Sequence, residues 1–214
     1  MRRLCIPLTL WLFLTLPTLS ATRLQNDLAL RGPYSYEGHI YTAGTRQPDT
    51  LSNAVDASKP LIIMETGFNA GFSSELFLNA YPYSKVISFD LGDHNYATAA
   101  KELIDEYFPG RHILVLGDSK HTLPQFVNGS TLKADLIFVD GGHDWQTALS
   151  DLHCFRELAH PSTVVVVDDY YIQAIAEAVD ECVRSGRFLI DRIETDQHKK
   201  WVVGRFIFPT QEKD

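Results

Sequence analysis

Two short apolar runs in the second half of the chain end abruptly in carboxylates. Leu136–Val139 is followed by Asp140, and Val164–Val167 is followed by Asp168 and Asp169. Runs this short, rich in β-branched residues and without polar interruption, are typical of strands buried on both faces of a parallel sheet. Ligands bind beyond the carboxyl ends of such strands, so the sequence predicts a site where these three acids meet.

Strand-like and helix-like segments alternate along most of the chain. The first five predicted strands are Leu61–Glu65, Lys85–Asp90, His112–Leu116, Asp135–Asp140 and Thr163–Asp168. Five successive βα units imply a parallel sheet with helices on both faces. Two further strand-like runs, Phe188–Ile193 and Trp201–Phe208, predict a terminal hairpin. The predicted fold class is α/β: a Rossmann-like three-layer sandwich with a mostly parallel seven-stranded sheet and a C-terminal antiparallel hairpin.

The chain divides into three regions by composition. Residues 1–21 combine Arg2 and Arg3 with an apolar stretch that ends in small residues, which predicts a secretory signal peptide. An uncleaved signal anchor, holding the protein to a membrane through residues 4–21, is the alternative. Residues 22–58 contain several glycine and proline breakers and are expected to form an irregular lead-in over the site. Residues 59–214 carry the α/β pattern and form the single predicted domain.

Other features bear on location and partners. Asn128–Ser130 is an N-glycosylation sequon, in agreement with a secreted or lumenal glycoprotein. Cys154 and Cys182 fall in predicted helices, where two packed thiols are favoured over a disulfide. The formal net charge is −8 and the acids are scattered, which argues against a nucleic-acid partner. No stable membrane contact is expected if the leader is cleaved, and homo-oligomer formation is left open.

The segment Glu65–Gly71 lies where the first strand of the sheet turns into a helix. Gly67 and Gly71 allow a tight turn and the close approach of a ligand to the backbone, and Ser73 is suited to cap the helix. Asn69 stands where the dinucleotide-binding fingerprint has its middle glycine. Taken alone, the segment therefore also fits a plain βα turn.

Acids also end the second and third strands. Asp90 follows the glycine turn by about twenty residues, where an acid can accept hydrogen bonds from a ribose. The third strand ends in Gly117–Ser119, a segment suited to meet an adenine edge. Carboxylates thus fall at the same end of five successive predicted strands.

With these motifs, roughly residues 60–208 resemble the class I S-adenosylmethionine-dependent methyltransferases. In that family the glycine turn holds the methionine part of the cofactor, the acid after the second strand binds ribose, and the segment after the third strand lies near adenine. The resemblance makes residues 59–214 a methyltransferase domain. It implies a cofactor site formed by Glu65, Gly67, Asn69, Gly71, Ser73, Asp90, Asp118, Ser119 and Asp140.

Asp140–His143 and Asp168–Tyr170 are similar to segments of the small metal-dependent O-methyltransferases, especially the macrocin-type sugar O-methyltransferases. This resemblance implies His143 as the general base and an acceptor hydroxyl on a sugar or other small molecule. It implies a Mg²⁺ ion with the ligands Asp140, Asp168 and Asp169. Carboxylate oxygens suit Mg²⁺, and a bound cation lowers the pKa of a hydroxyl whose proton a nearby base then removes.

Other interpretations of the same residues stay open at this point. Asp168 or Asp169 could cap the helix that follows, and His143 could be an ordinary surface or packing histidine. The chain could be an inactive methyltransferase-fold binding protein, or a metal-dependent hydrolase that uses the same acids. No G-x-S-x-G nucleophile elbow occurs in the sequence.

Overall fold

The structure is a computed structural model that describes residues 22–36, 45–197 and 199–209. These residues form a seven-stranded sheet with helices on both faces, which confirms the predicted fold class. The strands are β1 (Ile62–Thr66), β2 (Lys85–Asp90), β3 (His112–Leu116), β4 (Ala134–Val139), β5 (Ala159–Val167), β6 (Phe188–Thr195) and β7 (Lys200–Phe206). The helices are α1 (Arg23–Arg31), α2 (Gln47–Ser58), α3 (Phe72–Ala80), α4 (Ala97–Tyr107), α5 (Ser119–Gly129), α6 (Trp145–Glu157) and α7 (Gln173–Arg184).

Strands β1 to β5 are parallel, and the order across the sheet is β3-β2-β1-β4-β5-β7-β6. Strand β7 lies between β5 and β6 and pairs antiparallel with both, as the predicted terminal hairpin requires. The chain moves from β1 outward through β2 and β3, then returns to the other side of β1 for β4. Such a reversal leaves a crevice at the carboxyl ends of the two central strands, where open α/β sheets bind ligands.

Alternate side chains of the strands enter two separate hydrophobic cores. Ile63 packs in the core beneath α1 to α4, whereas Met64 packs in the core beneath α5 to α7. This period of two is a property of every strand, because successive Cβ atoms point to opposite faces. The same alternation therefore sends Glu65 and Thr66, the last two residues of β1, to opposite faces of the sheet.

The lead-in differs from the prediction, because its described residues form two helices rather than an irregular segment. Helix α1 is capped by Thr22 and buries Leu24 and Leu28, which lie on one helical face. In α2, Pro48 occupies the first turn, where the missing N–H of proline removes no helical hydrogen bond. The breakers read from the sequence thus mark helix ends, and the glycines at positions 38 and 44 lie outside the described residues.

Helix α1 packs against α4, so the lead-in is part of the folded domain. Arg31 donates a hydrogen bond to Glu102 at 2.6 Å, and the guanidinium of Arg23 lies 3.7 Å from the centre of the Tyr107 ring. The hydroxyl of Tyr107 donates to Asp27. These contacts bridge more than seventy positions of sequence and have no local signature.

Further sequence predictions concern membrane contact, the leader, glycosylation and the cysteines. Across the described ranges, no helix is both long enough and apolar enough to span a membrane. Residues 1–21 lie outside those ranges, so the leader stays a prediction. Asn128 is exposed in the last turn of α5 rather than in a loop, and its glycosylation also stays a prediction. Cys154 and Cys182 are free thiols, as favoured from the sequence.

The docking of α1 predicts a large difference between two leucines of the same helix. Leu28 is completely buried and Leu30 is 85% exposed. We expect Leu28→Ala to lower the free energy of unfolding by about 2–5 kcal/mol, because it leaves a cavity, and Leu30→Ala to change it by less than about 0.5 kcal/mol. Chemical denaturation of the three proteins measures both values, and equal effects would mean that α1 is not docked.

Candidate cofactor and acceptor site

The carboxyl ends of the parallel strands surround a cavity of about 670 Å³. This volume is typical of small-molecule sites. Most of the residues predicted from the sequence line this cavity: Gly67, Asn69, Ser73, Asp90, Asp118, Ser119, Asp140, His143 and Asp169. Three predicted residues are not part of its lining: Glu65, Gly71 and Asp168. The structure therefore brings together residues from the ends of β1, β2, β3, β4 and β5.

The glycine turn after β1 depends on backbone conformations that side chains rarely adopt. Gly67 has φ +87°, and a Cβ on it would lie 1.9 Å from the carbonyl oxygen of Asp140. Gly71 has φ +77° and caps α3, so the predicted cap, Ser73, instead lies inside the first turn of the helix. Asn69 also has a positive φ, +50°. The turn is therefore built to bring bare backbone to the edge of the cavity.

Asp90 is held in place by backbone N–H groups on either side. One carboxylate oxygen accepts from Asn69 N–H at 2.8 Å, and the other accepts from Gly92 N–H at 2.7 Å. Each carboxylate oxygen has a second lone pair, so the side chain keeps the capacity to accept hydrogen bonds from a ligand. Asp90 thus connects the end of β2 to the glycine turn and also faces the cavity.

The end of β3 serves as the start of α5. The side chain of Asp118 caps this helix by accepting from Lys120 N–H at 2.9 Å, and Ser119 is its first residue. Lys120 in turn donates from its ammonium to Thr147 at 2.9 Å. Asp118 therefore has a local structural role in addition to its position in the cavity wall.

Glu65 points away from the cavity, toward α3 and β2. Its carboxylate accepts from Ser74 and, at 2.6 Å, from Ser88, and His112 lies 2.9 Å from the same Ser88 hydroxyl. Burial raises the pKa of Glu65 above its ordinary value. The strand alternation explains this orientation, because Glu65 follows Ile63 onto the α1–α4 face.

Three carboxylates meet where β4 and β5 end, and Lys199 contacts them. The Lys199 ammonium donates to Asp168 at 2.7 Å. Burial works against its charge, yet the charges of Asp168 and Asp140 raise the pKa of Lys199 above its ordinary value. Burial and the neighbouring charge of Asp168 raise the pKa of Asp140 well above the ordinary range.

His143 pairs with Asp169 across the cavity rim. Its Nε2 lies 2.8 Å from a carboxylate oxygen of Asp169, while the His143 side chain remains 57% exposed. This hydrogen bond raises the pKa of His143 above its ordinary value. Burial opposes the charge of Asp169, but the hydrogen bond from His143 and the charge of Lys199 lower the pKa of that carboxyl. Asp169 also has φ +54°, a strained backbone typical of functional sites.

The predicted magnesium ligands do not all converge. Among the described residues, the atoms that could jointly hold an ion belong to Asp140, His143 and Asp169, and they lie within 4.8 Å of one another. One oxygen of Asp168 accepts from Asp169 N–H at 2.8 Å, and the other accepts from Lys199. Neither Asp168 nor Asp169 caps α7, whose cap residue is Ile172. The three carboxylates as arranged therefore do not fit a shared divalent ion.

Lys199 and its partner Gln47 were not singled out from the sequence. Lys199 lies in the polar connection between β6 and β7, and its ammonium also donates to the Gln47 side chain at 3.0 Å. A lone lysine in a polar loop carries no motif. One clue was available from the sequence. The fold was expected to bring three carboxylates together, and such a cluster needs a positive charge that no neighbouring residue in the sequence supplies.

Asp151 on α6 is a second buried carboxylate near the site that the sequence analysis did not select. It is 1% exposed, and within the described part of the chain neither carboxylate oxygen has a hydrogen-bond partner in bonding geometry. Burial raises the pKa of Asp151 to about 7, although Ser119 and Thr66 nearby lower it. A folded-state pKa above the unfolded value means that the native state binds the proton more tightly, so deprotonation destabilises the fold as pH rises.

Replacing Asp151 should therefore change the pH dependence of stability. Relative to the wild type, Asp151→Asn should gain free energy of unfolding between about pH 5 and about pH 8, by up to about 3 kcal/mol. Asp56→Asn, at an exposed position of α2, is the control and should run parallel to the wild type. Denaturant titrations at the two pH values measure the change, and an unchanged difference would contradict a buried, protonated Asp151.

A family model described as a methyltransferase domain matches residues 64–170. The matched stretch is half of the chain and extends from β1 to the acids after β5. This chain therefore belongs to the methyltransferase domain family, as the sequence motifs predicted.

Comparison with individual proteins agrees with this family. The chain is 26% identical over 155 residues to a protein of Mycobacterium tuberculosis named "Probable O-methyltransferase"; the match covers 70% of this chain and 66% of that protein, slightly less than two thirds of its length. The fold is similar to that of the Bacillus cereus O-methyltransferase in complex with SAH, with a TM-score of 0.68, 16% identity, and coverage of 85% of this chain and 88% of that one. It is also similar to the O-methyltransferase TomG of Streptomyces achromogenes in complex with SAM, with a TM-score of 0.69, 14% identity, and coverage of 89% and 92%. At these identities the likeness to the solved structures shows a shared fold.

Proposed function

We propose that this protein transfers a methyl group from S-adenosylmethionine to a hydroxyl group of a small molecule or sugar. The observation that carries the proposal is one cavity that joins the glycine turn and Asp90 to the pair formed by His143 and Asp169. Membership in the family supports methyl transfer. The names of the similar proteins support oxygen as the acceptor atom.

The cavity offers groups suited to each part of the proposed cofactor. The first N–H groups of α3, beside Ser73, lack helical partners and suit the carboxylate of the methionine part. Asp90 is suited to accept hydrogen bonds from ribose hydroxyls, and Asp118 and Ser119 to border the adenine. When bound, S-adenosylmethionine supplies an electrophilic methyl group on a positively charged sulfur.

His143 is the proposed general base. Because its Nε2 donates to Asp169, Nδ1 is the nitrogen that can accept the proton of an acceptor hydroxyl. Asp169 orients the ring and stabilises the imidazolium that forms. Holding the acceptor oxygen in line with the methyl group is the other main contribution, since correct positioning alone can supply roughly 7–11 kcal/mol.

The Mg²⁺ ion predicted from the sequence, with Asp140, Asp168 and Asp169 as ligands, stays a prediction. The hydrogen bond from Lys199 to Asp168 speaks against that ligand set, so the proposed chemistry uses no step through a metal. An inactive binding protein or a metal-dependent hydrolase gains no support from the described residues.

The secretory location also stays a proposal. It rests on the leader sequence in residues 1–21 and on the sequon at Asn128, which is exposed on α5. Three statements about partners also stay predictions. They are that the protein does not bind nucleic acid, that it makes no stable membrane contact if the leader is cleaved, and that it can form a homo-oligomer.

Cofactor binding is tested first, because it needs no acceptor. Calorimetric titration with S-adenosylmethionine should detect binding to the wild type. Asp90→Ala should weaken it by roughly 10- to 100-fold, since hydrogen bonds to a charged group are lost. Asp105→Ala, on the exposed side of α4, is the control and should bind as the wild type does. A wild-type protein that does not bind S-adenosylmethionine would contradict the proposed function.

The role of His143 is tested by transfer of a labelled methyl group to catechol and to methyl glucoside, using whichever acceptor the wild type methylates. His143→Ala should lower turnover by about 10²- to 10⁴-fold, the usual contribution of a general base. The affinity for S-adenosylmethionine should not change. His153→Ala, on α6 and outside the cavity lining, is the matched control. Full turnover in His143→Ala would rule out this base.

A further inference from the structure

The three carboxylates at the ends of β4 and β5 need a positive charge close by. Asp168 is 2% exposed and Asp169 is 8% exposed, and Asp140 lies beside them. Like charges this close and this far from water raise each other's free energy, and an uncompensated buried charge is strongly destabilising. A fold that keeps this cluster therefore has to supply a cation from outside or from its own chain.

Lys199 supplies that charge from the chain itself. Its side chain is 12% exposed, and its ammonium donates to Asp168 at 2.7 Å and to Gln47 at 3.0 Å. Two of its three N–H donors are thus used by buried partners. Lys199 also lines the cavity, and His143 lines the same cavity.

The position of Lys199 is fixed by the backbone around it. Its own N–H donates to one oxygen of Asp196 at 2.9 Å. The other oxygen of Asp196 accepts from the hydroxyl of Thr45 at 2.7 Å and from the N–H of Arg46 at 2.9 Å. The β6–β7 connection is thereby tied to the start of α2, which also provides Gln47. Both the backbone N–H and the ammonium of Lys199 are thus hydrogen-bonded.

A divalent ion and this ammonium would compete for the same oxygen. Mg²⁺ binds carboxylate oxygens at about 2.0–2.1 Å and demands near-octahedral geometry. The Asp168 oxygen that would face such an ion is already bonded to Lys199, and two cations this close would repel each other. An ion that binds through this oxygen of Asp168 would therefore have to displace Lys199.

We propose that the Lys199 ammonium is the resident cation of the acid cluster, taking the place of a divalent metal and leaving Asp169 free to orient His143. Lys199 is thus a positioning residue for the acceptor half of the site. The part of this inference that concerns turnover rests on the proposed methyl transfer. Metal binding by the acid cluster is a separate readout.

The experiment compares Mn²⁺ binding, followed by electron paramagnetic resonance, with methyl transfer in excess EDTA. The wild type should bind no Mn²⁺ at the cluster and should lose no turnover in EDTA. Lys199→Ala and Lys199→Met should lose turnover by roughly 10- to 100-fold, as with other residues that orient a catalytic group. They should gain Mn²⁺ binding, and Mg²⁺ should restore part of their turnover. Lys199→Met keeps the aliphatic stem and guards against a loss of folding.

Two controls separate charge from structure. Lys199→Arg should restore metal-independent turnover, and Lys85→Ala, at an exposed position of β2, should behave as the wild type. A purely structural lysine would not produce a gain of metal binding when removed. The proposal is overturned if the wild type binds Mn²⁺ and needs Mg²⁺ for turnover, or if the variants gain no metal binding. A failure of the proposed function appears instead as absent S-adenosylmethionine binding, with the Mn²⁺ result unaffected.

Discussion

The contact between the turns after β1 and β4 holds the whole site together. Gly67 approaches the Asp140 carbonyl so closely that a Cβ would lie 1.9 Å from its oxygen. In addition, Asp140 N–H donates to the Thr66 carbonyl at 3.1 Å. Because β1 and β4 are neighbours at the reversal of strand order, this contact sets the distance between the cofactor turn and the acid-bearing turn. Both halves of the proposed reaction centre therefore lie at one edge of the sheet, on neighbouring strands.

The acids at that edge differ in how their charge is accommodated, and the differences separate their roles. Asp90 accepts hydrogen bonds from two backbone N–H groups, and its oxygens keep further lone pairs for a ligand. Asp168 is matched by Lys199 and Asp169 by His143; the first pair is buried, whereas the second reaches the exposed rim. Burial raises the pKa of Asp151 to about 7, although the charge of Lys120 lowers it. The same residue type thus occurs as a backbone-bound group at the cavity wall, as an ion-pair partner and as a buried carboxyl with a raised pKa.

The lead-in and the β6–β7 connection, far apart in sequence, act as one structural unit over the site. Thr50 on α2 donates to Glu194 at 2.8 Å, and Gln47 accepts from Lys199 at 3.0 Å. Through Gln47 and Lys199, helix α2 is connected to Asp168 of the acid cluster. The interpretation of this lead-in as irregular was wrong for its described residues, because short helices such as α1 and α2 depend on docking against α3 and α4, which the sequence alone does not show.

Local sequence patterns predicted the order of strands and helices and the end of the sheet that carries the site. They also predicted most of the residues that line the cavity. Short apolar runs read as buried strands, and an acid or glycine directly after such a run has to lie at the strand's carboxyl end. The hydrogen-bond partner of Glu65, Ser88, and the pairing of Lys199 with Asp168 were decided only by the tertiary structure. The physical reason is that periodicity reports which face a residue prefers, whereas a buried charge selects its partner by distance in space, across thirty-one positions of chain in the case of Lys199.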